Sequence, residues 1–558
     1  MNSETVQMII TMLGGLALFI YGMNLMSDGL QKSAGERMKN ILALLTRNPV
    51  LGVLAGALCT AVLQSSSATT VMVIGFVSAG LMSLRQAISI ILGANIGTTI
   101  TAQLIAFSIG DYAWAFVAVG FVMYFFLKKK EFISYLGQTI FAFGVLFVGI
   151  NIMGGAMKPL AGSPVFIDLM TQVHDIPVLG VLLGTLMTVV VQSSSATIAV
   201  LQNLASTAGP DGVTSIIGLT GALPILFGDN IGTTITAVLA SIGGSLAAKR
   251  TAAAHVVFNI TGTFIFIWFI PYYAKFIQFI SPDGAEIDVI SRQIANAHSC
   301  FNIFNTILFI PIIGILVKVV TKIVPGKELE RMPSDPIFLD HNVLDRPFAA
   351  IHLATKEIIR LAEMTFTMIR DAQKAFVGGD REAADKVKQT EENVNVLQEH
   401  IVNYLAGMFT ADTITEEQSA KVSGLLHIAA DIEHIGDHCK NISEFADEKI
   451  KNSYDFSEEA YGEICGCFDL AKKMAAKSIE AMEECSHEIA SDVRIMEKEM
   501  NRTESELRLH HMKRISDGKC SPEFTVIYTD VVHNIEKIGD YCNNIAEAVE
   551  DNVVEKSE

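Results

Sequence analysis

The chain contains the stretch Gln64-Ser65-Ser66-Ser67-Ala68-Thr69, which returns as Gln192-Ser193-Ser194-Ser195-Ala196-Thr197, each time within apolar sequence. A second motif is duplicated in the same order, as Gly93-Ala94-Asn95-Ile96-Gly97-Thr98-Thr99 and Gly228-Asp229-Asn230-Ile231-Gly232-Thr233-Thr234. A membrane interior offers no water to amides and hydroxyls, so polar clusters there must be buried in protein or line a cavity. Two such clusters at matched places in two halves predict a transporter whose site lies at the interface between the repeats.

Composition divides the chain into an apolar part and an acidic part. Hydrophobic residues make up 50% of the 558 residues, and the net charge is −18. Through residue 330 the chain carries 16 Lys and Arg and 14 Asp and Glu, whereas the remaining 228 residues carry 25 and 45. We therefore predict a membrane domain followed by a soluble acidic domain. The acidity argues against a nucleic-acid partner and is compatible with cation binding.

Apolar stretches recur between residues 7 and 321. Those that flank the two Gln-Ser-Ser-Ser motifs are 50–63, 68–82, 178–191 and 196–206. They are shorter than the roughly 20 residues that a spanning helix needs, which is typical of re-entrant hairpins or broken helices. We expect an all-α membrane domain over residues 1–324, with repeats at about 8–155 and 176–321 and one hairpin in each.

Basic residues set the expected orientation, because cytoplasmic loops carry an excess of Lys and Arg. The basic residues next to apolar stretches are Lys32, Arg37, Lys39, Arg47, Lys128, Lys129, Lys130, Lys318, Lys322, Lys327 and Arg331. They predict a multi-pass protein of the cell (inner) membrane whose N-terminus lies outside and whose acidic domain is cytoplasmic. Several prolines mark residues 325–347 as a linker between the two domains.

The acidic domain is itself duplicated, since Glu433-His434-Ile435-Gly436-Asp437 returns as Glu536-Lys537-Ile538-Gly539-Asp540. The pattern is one of long amphipathic helices, and we predict a soluble bundle of two three-helix repeats over residues 348–552. In each copy the two acids share a helix face and could hold a divalent metal ion, the alternative being a solvated face. The candidate metal ligands are Glu433, Asp437, Glu536 and Asp540, with Glu391 and Glu497 as lesser candidates.

The membrane motifs offer ligands for a cation and for an anion. Hydroxyls and carboxamides supply the oxygens that hard cations prefer. A broken helix adds free amides at its N-terminal end, so a triple serine at a hairpin tip can hold phosphate or another oxyanion, with sodium ions nearby. The alternative is that small hydroxyl residues only let helices pack closely. The candidate substrate and sodium ligands are Gln64, Ser65, Ser66, Ser67, Thr69, Asn95, Thr98, Thr99, Gln192, Ser193, Ser194, Ser195, Thr197, Asp229, Asn230, Thr233 and Thr234.

Asp229 breaks the symmetry of the duplication, because the other copy has Ala94 there. An acid at membrane depth is costly and is a functional candidate; it could ligate a cation, or lie at a helix end in water. A third duplicated element places a His and an Asn four residues apart, in the segments 254–259 and 297–302. These side chains share a helix face, and either join helices by polar contacts or support the site.

With these motifs the chain resembles the type II sodium-dependent phosphate cotransporter family over roughly residues 8–320, joined to a PhoU-like domain over roughly 345–550. The resemblance implies inverted repeats with a hairpin in each half, sodium-coupled phosphate movement, and metal clusters on the PhoU helices. Animal members have one His-x-x-Phe-Asn element in each half and lack the acidic tail, whereas here both elements follow the second Asn-Ile-Gly-Thr-Thr motif. Stoichiometry and direction of flux are therefore not carried over.

We expect a secondary active transporter of inorganic phosphate coupled to sodium, with the tail as its regulatory domain. Phosphate, sodium and the lipid bilayer are its expected partners, and a second copy or a cytoplasmic regulator is a further candidate. A phosphate-responsive membrane sensor is the alternative. An enzyme is not expected, since the chain offers no positioned base, nucleophile motif or P-loop, and without a Walker motif this chain alone cannot use ATP. Sodium or proton, phosphate or arsenate, and import or export all remain open at this stage.

Overall fold

The computed structural model describes residues 3–34, 48–107, 112–127, 131–157, 164–209, 211–326, 332–344, 346–409, 414–454 and 456–554. Within these ranges the regular structure is helical, apart from one isolated β-bridge between Ala208 and Ser215. The chain forms two compact units that divide between Glu328 and Leu329. In the first unit, six of the described helices are long and apolar enough to cross a membrane. The predicted all-α fold is confirmed.

The first unit, called the membrane unit below, begins with α1 and ends with α15. Its helices are α1 (Ser3–Ala34), α2 (Pro49–Leu63), α3 (Ser66–Ser78), α4 (Leu84–Ile105), α5 (Ala113–Phe126), α6 (Glu131–Met157), α7 (Pro164–Asp175), α8 (Pro177–Val191), α9 (Ser194–Ala205), α10 (Gly218–Gly232), α11 (Thr234–Ala240), α12 (Leu246–Phe266), α13 (Ile270–Ile280), α14 (Glu286–Phe309) and α15 (Ile313–Ile323). Of the basic residues that predicted its orientation, Arg37, Lys39, Arg47, Lys128, Lys129, Lys130, Lys327 and Arg331 lie outside the described residues.

Two helical hairpins, α2–α3 and α8–α9, are formed where the Gln-Ser-Ser-Ser motifs predicted them. A proline opens the first helix of each hairpin, where its missing N–H costs nothing. The helix ends at Gln64 or Gln192, both in the left-handed conformation with φ of 51° and 54°. The next residue, Ser65 or Ser193, caps the second helix with its side chain. The same local conformation therefore reverses the chain in both halves.

Glycines let each hairpin lie close to the motif helix of its own half. A Cβ atom on Gly93 of α4 would collide with the carbonyl oxygen of Val53 on α2. In the second half, a Cβ atom on Gly228 of α10 would collide with the carbonyl oxygen of Val181 on α8. Small residues at such crossings allow backbones to approach, which is how helices associate without a hydrophobic driving force. The close packing fixes the distance between the first helix of each hairpin and the motif helix.

Two long helices bend near their ends. α12 passes through a 3₁₀ turn at Ile267–Phe269 into α13, and α14 passes through Ile310–Ile312 into α15. A proline lies in each bend, where it cannot donate the helical hydrogen bond. α13 and α15 bury one face only, which is the pattern of amphipathic helices.

The second unit, called the tail unit below, consists of two three-helix repeats, as predicted. Its helices are α16 (Pro347–Gly378), α17 (Arg381–Met408), α18 (Glu416–Asn452), α19 (Glu458–Glu484), α20 (His487–Ser516) and α21 (Thr525–Glu550). α16, α17 and α18 pack on one another, α19, α20 and α21 do the same, and α18 contacts α21. Part of the segment predicted as a linker is also held by α16, because Glu357 accepts hydrogen bonds from the backbone N–H groups of Ile337 (2.8 Å) and Phe338 (2.5 Å).

Candidate functional site

The serines of each hairpin tip divide into a capping residue and residues of the first helical turn. Ser65 Oγ accepts a hydrogen bond from the N–H of Ala68 (3.1 Å), and Ser193 Oγ accepts one from Ala196 (3.2 Å). The other two serines of each motif begin α3 and α9. Their backbone N–H groups have no partner within the helix and lie at its positive end, which suits an anion. The tips thus offer amides and hydroxyls together.

Each hairpin reaches the motif helices of the other half. Ser67 Oγ on α3 accepts a hydrogen bond from Thr236 Oγ1 on α11 (3.2 Å). Gln202 Nε2 on α9 donates to the carbonyl oxygen of Ala102 on α4 (3.1 Å). Both hairpins therefore meet the opposite half, the first at its tip through Ser67 and the second near the other end of α9 through Gln202.

The two tip glutamines differ in their surroundings. Gln64 is buried, and its Oε1 accepts a hydrogen bond from Thr101 Oγ1 (3.0 Å). Gln192 is exposed. Of the two glutamines predicted as ligands, Gln64 is hydrogen-bonded inside the protein, whereas the side chain of Gln192 is exposed.

Buried threonine pairs join the two helices of each hairpin. Thr60 Oγ1 lies 2.9 Å from Thr69 Oγ1, and Thr188 Oγ1 lies 3.1 Å from Thr197 Oγ1. In the second half Thr188 also donates to Asp229 Oδ1 on α10 (2.7 Å). Thr60 and Thr188 are not in the sequence motifs, and the sequence analysis missed them. Their equivalent positions in the two hairpins were the available signal.

Asp229 is fully buried, with 0% of its surface exposed. This excludes the alternative that it lies at a helix end in water. Its Oδ2 has no hydrogen-bond partner within the described residues, which also provide no positive side chain to pair with it. A buried carboxylate without compensation is costly, so this position requires a bound cation or a proton. The first half, with Ala94, has the threonine pair without the acid.

The motif asparagines are oriented alike in the two halves. Asn95 Nδ2 donates to the carbonyl oxygen of Ile91 (2.8 Å), and Asn230 Nδ2 donates to that of Leu226 (2.9 Å). The carboxamide oxygens face the duplicated His and Asn elements. Asn95 Oδ1 lies 3.4 Å from His255 Nε2 on α12, and Asn230 Oδ1 accepts from Asn302 Nδ2 on α14 (3.2 Å).

Those elements extend into polar stripes in which residues recur every four positions. The stripes are His255, Asn259 and Thr263 on α12, and His298, Asn302 and Thr306 on α14. Thr263 Oγ1 donates to the carbonyl oxygen of Phe227 on α10, and Thr306 Oγ1 donates to that of Leu92 on α4, both at 3.3 Å. Leu92 and Phe227 are equivalent positions of the duplicated motif helices. The contact of α14 with α4 is therefore equivalent to the contact of α12 with α10. Both stripes nevertheless follow the second copy of the motif in the sequence.

Several buried polar atoms near these stripes have no hydrogen-bond partner in the described part of the chain. They are Asp229 Oδ2, Asn259 Oδ1, Asn302 Oδ1, His255 Nδ1, His298 Nδ1, and both carboxamide atoms of Asn305. Each unmet buried polar group costs about 1–3 kcal/mol. A cluster of them inside a membrane protein indicates room for water or a bound ion. The stripes therefore join helices and also carry buried polar atoms whose hydrogen-bonding capacity is not used.

The hydroxyls of the Asn-Ile-Gly-Thr-Thr motifs bond to their own helices. Thr98 and Thr233 donate to the carbonyl oxygens of Ala94 (3.0 Å) and Asp229 (2.9 Å), four residues earlier. The carbonyl acceptors of Thr99 and Thr234 lie three residues earlier, at 2.8 and 2.7 Å. The protons of these threonines are used, and their oxygens retain lone pairs for a cation.

In the tail unit two groups of acids and histidines lie close enough to share a metal ion. The groups are Glu433, His434 and Asp437, and Glu504, His533 and Glu536, with ligand atoms within 4.8 Å of one another. Burial raises the pKa of Glu433 and of Glu536, and neighbouring carboxylates add to both shifts. The sequence analysis missed His434, Glu504 and His533; the histidines next to the acids were the signal.

The other candidate metal ligands have different neighbours. Glu391 Oε1 pairs with Lys440 Nζ at 3.0 Å, and Asp540 Oδ2 pairs with Lys537 Nζ at 2.5 Å. Glu497 is half-buried and accepts a hydrogen bond from Asn501 (2.5 Å). Since lysines already neutralise two of these acids, charge repulsion alone does not require a metal there.

The comparisons with known proteins agree with both duplications. The Na⁺/Pi-cotransporter family model matches twice, at residues 18–155 and 152–280, and the PhoU domain model matches twice, at 358–446 and 464–549. "Uncharacterized protein YqeW" of Bacillus subtilis is 36% identical over 271 residues, which are 49% of this chain and 85% of the relative. "Putative inorganic phosphate export protein YjbB" of Salmonella typhimurium is 25% identical over 463 residues, 83% of this chain and 82% of the relative.

A human relative shares a shorter segment. "Sodium-dependent phosphate transport protein 2B" is 40% identical over 108 residues, which are 18% of this chain and 15% of the relative. The resemblance inferred from the paired motifs is confirmed by these matches. The chain belongs to the Na⁺/Pi-cotransporter family of membrane transporters, and its membrane unit is followed by a PhoU domain.

Proposed function

We propose that this protein is a secondary active transporter that moves inorganic phosphate across a membrane and couples the movement to sodium ions. The observation that carries the proposal is the fully buried Asp229, which has an unpartnered oxygen beside a hairpin tip rich in free amides. Phosphate and a carboxylate repel each other, so the acid serves the cation and the tip serves the anion.

Phosphate binds at the two tips through the first-turn amides of α3 and α9 and the hydroxyls of Ser66, Ser67, Ser194 and Ser195. Support comes from the hydrogen bond between Ser67 and Thr236, which joins one tip to the opposite half. Helix N-termini are suited to phosphate groups because amides and dipole act together. The matched tips let each half contribute part of the site.

A sodium ion binds at Asp229 Oδ2, with the hydroxyl oxygens of Thr188 and Thr197 as neighbouring ligands. The 2.7 Å contact between Thr188 and Asp229 supports this assignment. Hard cations prefer such oxygen ligands, and a cation removes the cost of burying the carboxylate. A proton at Asp229 is the competing assignment.

The test is phosphate flux into proteoliposomes that contain the purified full chain. A sodium gradient should drive radiolabelled phosphate uptake, whereas a proton gradient of equal size should not. Arsenate should compete, because it offers the same tetrahedral oxygens. Uptake that follows the proton gradient would replace sodium by a proton, and no flux under either gradient would contradict transport.

We also propose that the tail unit is a regulatory domain, and that it lies on the cytoplasmic side of a cell membrane. A phosphate-responsive sensor is the second candidate, favoured by the PhoU domain that occupies residues 358–549. A sensor would bind phosphate without moving it. Vesicles loaded with phosphate, with sodium on one side of the membrane only, also distinguish import from export. Export is the activity in the name of the relative YjbB.

A further inference from the structure

A line of polar side chains runs between α4 and α14, apart from the hairpin tips. Gln103 Nε2 on α4 donates to Asn296 Oδ1 and to Ser299 Oγ on α14, each at 3.1 Å. Gln103 Oε1 accepts a hydrogen bond from Arg292 Nη1 at 2.7 Å. All four residues are half-buried. Polar groups do not face lipid at membrane depth, and these four side chains satisfy one another between the two helices.

Arg292 is held in place by neutral groups. Its guanidinium lies over the ring of Phe107, 4.0 Å from the centroid, and its hydrogen bonds go from Nη1 to the side chain and backbone oxygens of Gln103. Within the described residues it forms no ion pair. Glu286 accepts a hydrogen bond from the N–H of Ser215 instead (3.2 Å), and the exposed Asp288, one turn earlier, makes no contact with the guanidinium. Nε and Nη2 remain available as donors.

The same helices connect Arg292 with the proposed substrate site. Gln103 lies eight residues beyond Asn95 on α4, which is about 12 Å along a helix. The carbonyl oxygen of Ser291 accepts a hydrogen bond from Gln202 Nε2 on hairpin helix α9 (3.0 Å). Arg292 therefore contacts the helix that carries the motif asparagine, and its neighbour Ser291 contacts a hairpin helix.

We propose that Arg292 binds the transported oxyanion before or after its stay at the hairpin tips. This inference rests on the proposed function. A guanidinium offers parallel N–H groups that match two oxygens of a phosphate dianion. An oriented cation without an ion-pair partner also raises the local anion concentration. The alternative is an arginine that only extends to the membrane interface.

The test compares three variants of the full chain in proteoliposomes, with phosphate uptake measured over a range of phosphate concentrations. Arg292→Gln should raise the KM for phosphate about tenfold with little change in maximal rate, since a charged hydrogen bond contributes on the order of that factor. Arg292→Lys should recover part of the affinity, because lysine keeps the charge and loses the fork. Lys275→Gln, which removes an exposed charge on α13, should leave KM unchanged.

Ionic strength gives an independent measurement. The KM of the unchanged protein should rise with added salt, and that of Arg292→Gln should rise less, because screening acts on the missing charge. An unchanged KM in Arg292→Gln, or equal losses of maximal rate in the Gln and Lys variants, overturns the proposal. A protein that transports no phosphate before any substitution contradicts the proposed function itself, so the two failures are distinguishable.

Discussion

Asp229 and Ala94 occupy the same position in the two halves, yet the charge is present in the second half alone. The threonine pairs beside them are alike, so the carboxylate is the feature that differentiates two otherwise matched sites. The asymmetry suggests a division of roles, with one half specialised for the coupling ion. At the scale of single residues, we expect this difference to have the most direct effect on transport.

Replacing Asp229 with Asn should weaken the apparent affinity for sodium about tenfold or more and change the affinity for phosphate less. The asparagine keeps an acceptor for Thr188 but loses the charge that attracts the cation. Initial uptake rates over a range of sodium concentrations measure this. Asp283→Asn, in an exposed loop, is the matched control. An unchanged sodium dependence would place Asp229 outside the coupling site.

Ser66→Val and Ser194→Val should abolish phosphate uptake while the amount of protein in the membrane stays normal. The added methyl groups fill the space at the tip where the anion meets the first-turn amides, and the hydroxyl is lost. Ser65→Asn is the control, because Asn also caps a helix and the tip conformation is kept. Normal uptake by both valine variants would remove these serines from the site.

At the scale of elements, the polar stripes of α12 and α14 orient the motif asparagines from outside the motifs. Each stripe contacts both motif helices: His255 reaches α4 and Thr263 reaches α10, while Asn302 reaches α10 and Thr306 reaches α4. The stripes thus join the halves at the level of the candidate site. This crossing explains how two late elements serve both halves.

His255→Ala should lower the rate of phosphate uptake several-fold, and His255→Gln should recover part of it, because a glutamine amide can still donate to Asn95 Oδ1. If His255 had only a structural role, the two variants should show the same uptake when their protein amounts are equal. Thermal unfolding of both variants in detergent gives the necessary comparison. Equal uptake by the Ala and Gln variants would show that orientation of Asn95 does not depend on this donor.

Sequence predicted the hairpins and the repeats because their signals are local. The serine caps, the short apolar stretches and the duplicated motifs each act over a few residues, and the structure has them at those places. The partners of His255, Thr188 and Arg292 depend on contacts between distant segments. Their sequence positions therefore carried no information about which helix they would contact, and Thr188 and Arg292 were missed.

At the scale of the whole molecule, the membrane unit and the tail unit each contain an internal duplication, but they use it differently. In the tail unit the repeats are joined through equivalent hydrogen bonds, from Asn441 to Asn534 (3.1 Å) and from Asn544 to Asp431 (3.4 Å). The acids Glu433 and Glu536 lie in the two clusters beside this contact. A ligand bound at these clusters would therefore affect the contact between the two repeats.

The stability of the tail unit should depend on pH through Glu433 and Glu536. Burial raises the pKa of both, so the folded state holds protons that the unfolded state releases. Without metal, the free energy of unfolding should therefore fall as the pH rises from the ordinary carboxyl pKa through the raised values. Thermal unfolding of residues 340–558 between about pH 4 and pH 8, with chelator present, measures this. Glu433→Gln with Glu536→Gln should flatten the dependence, and an equal slope in that variant would contradict it.

Bound metal should reverse that trend, because a cation needs the ionised carboxylates and stabilises the folded state that presents them. At a metal concentration 100 times the dissociation constant, binding adds about 2.7 kcal/mol, which for a unit of this size raises Tm by about 5–10 °C. Mn²⁺ or Zn²⁺ added to chelated tail unit should produce such a rise near neutral pH. Glu433→Gln with Glu536→Gln should remove it, whereas Glu497→Gln, which changes a half-buried acid outside both clusters, should not. A tail unit that melts identically with metal and with chelator, and contains no metal by elemental analysis, would leave these acids as a solvated helix face.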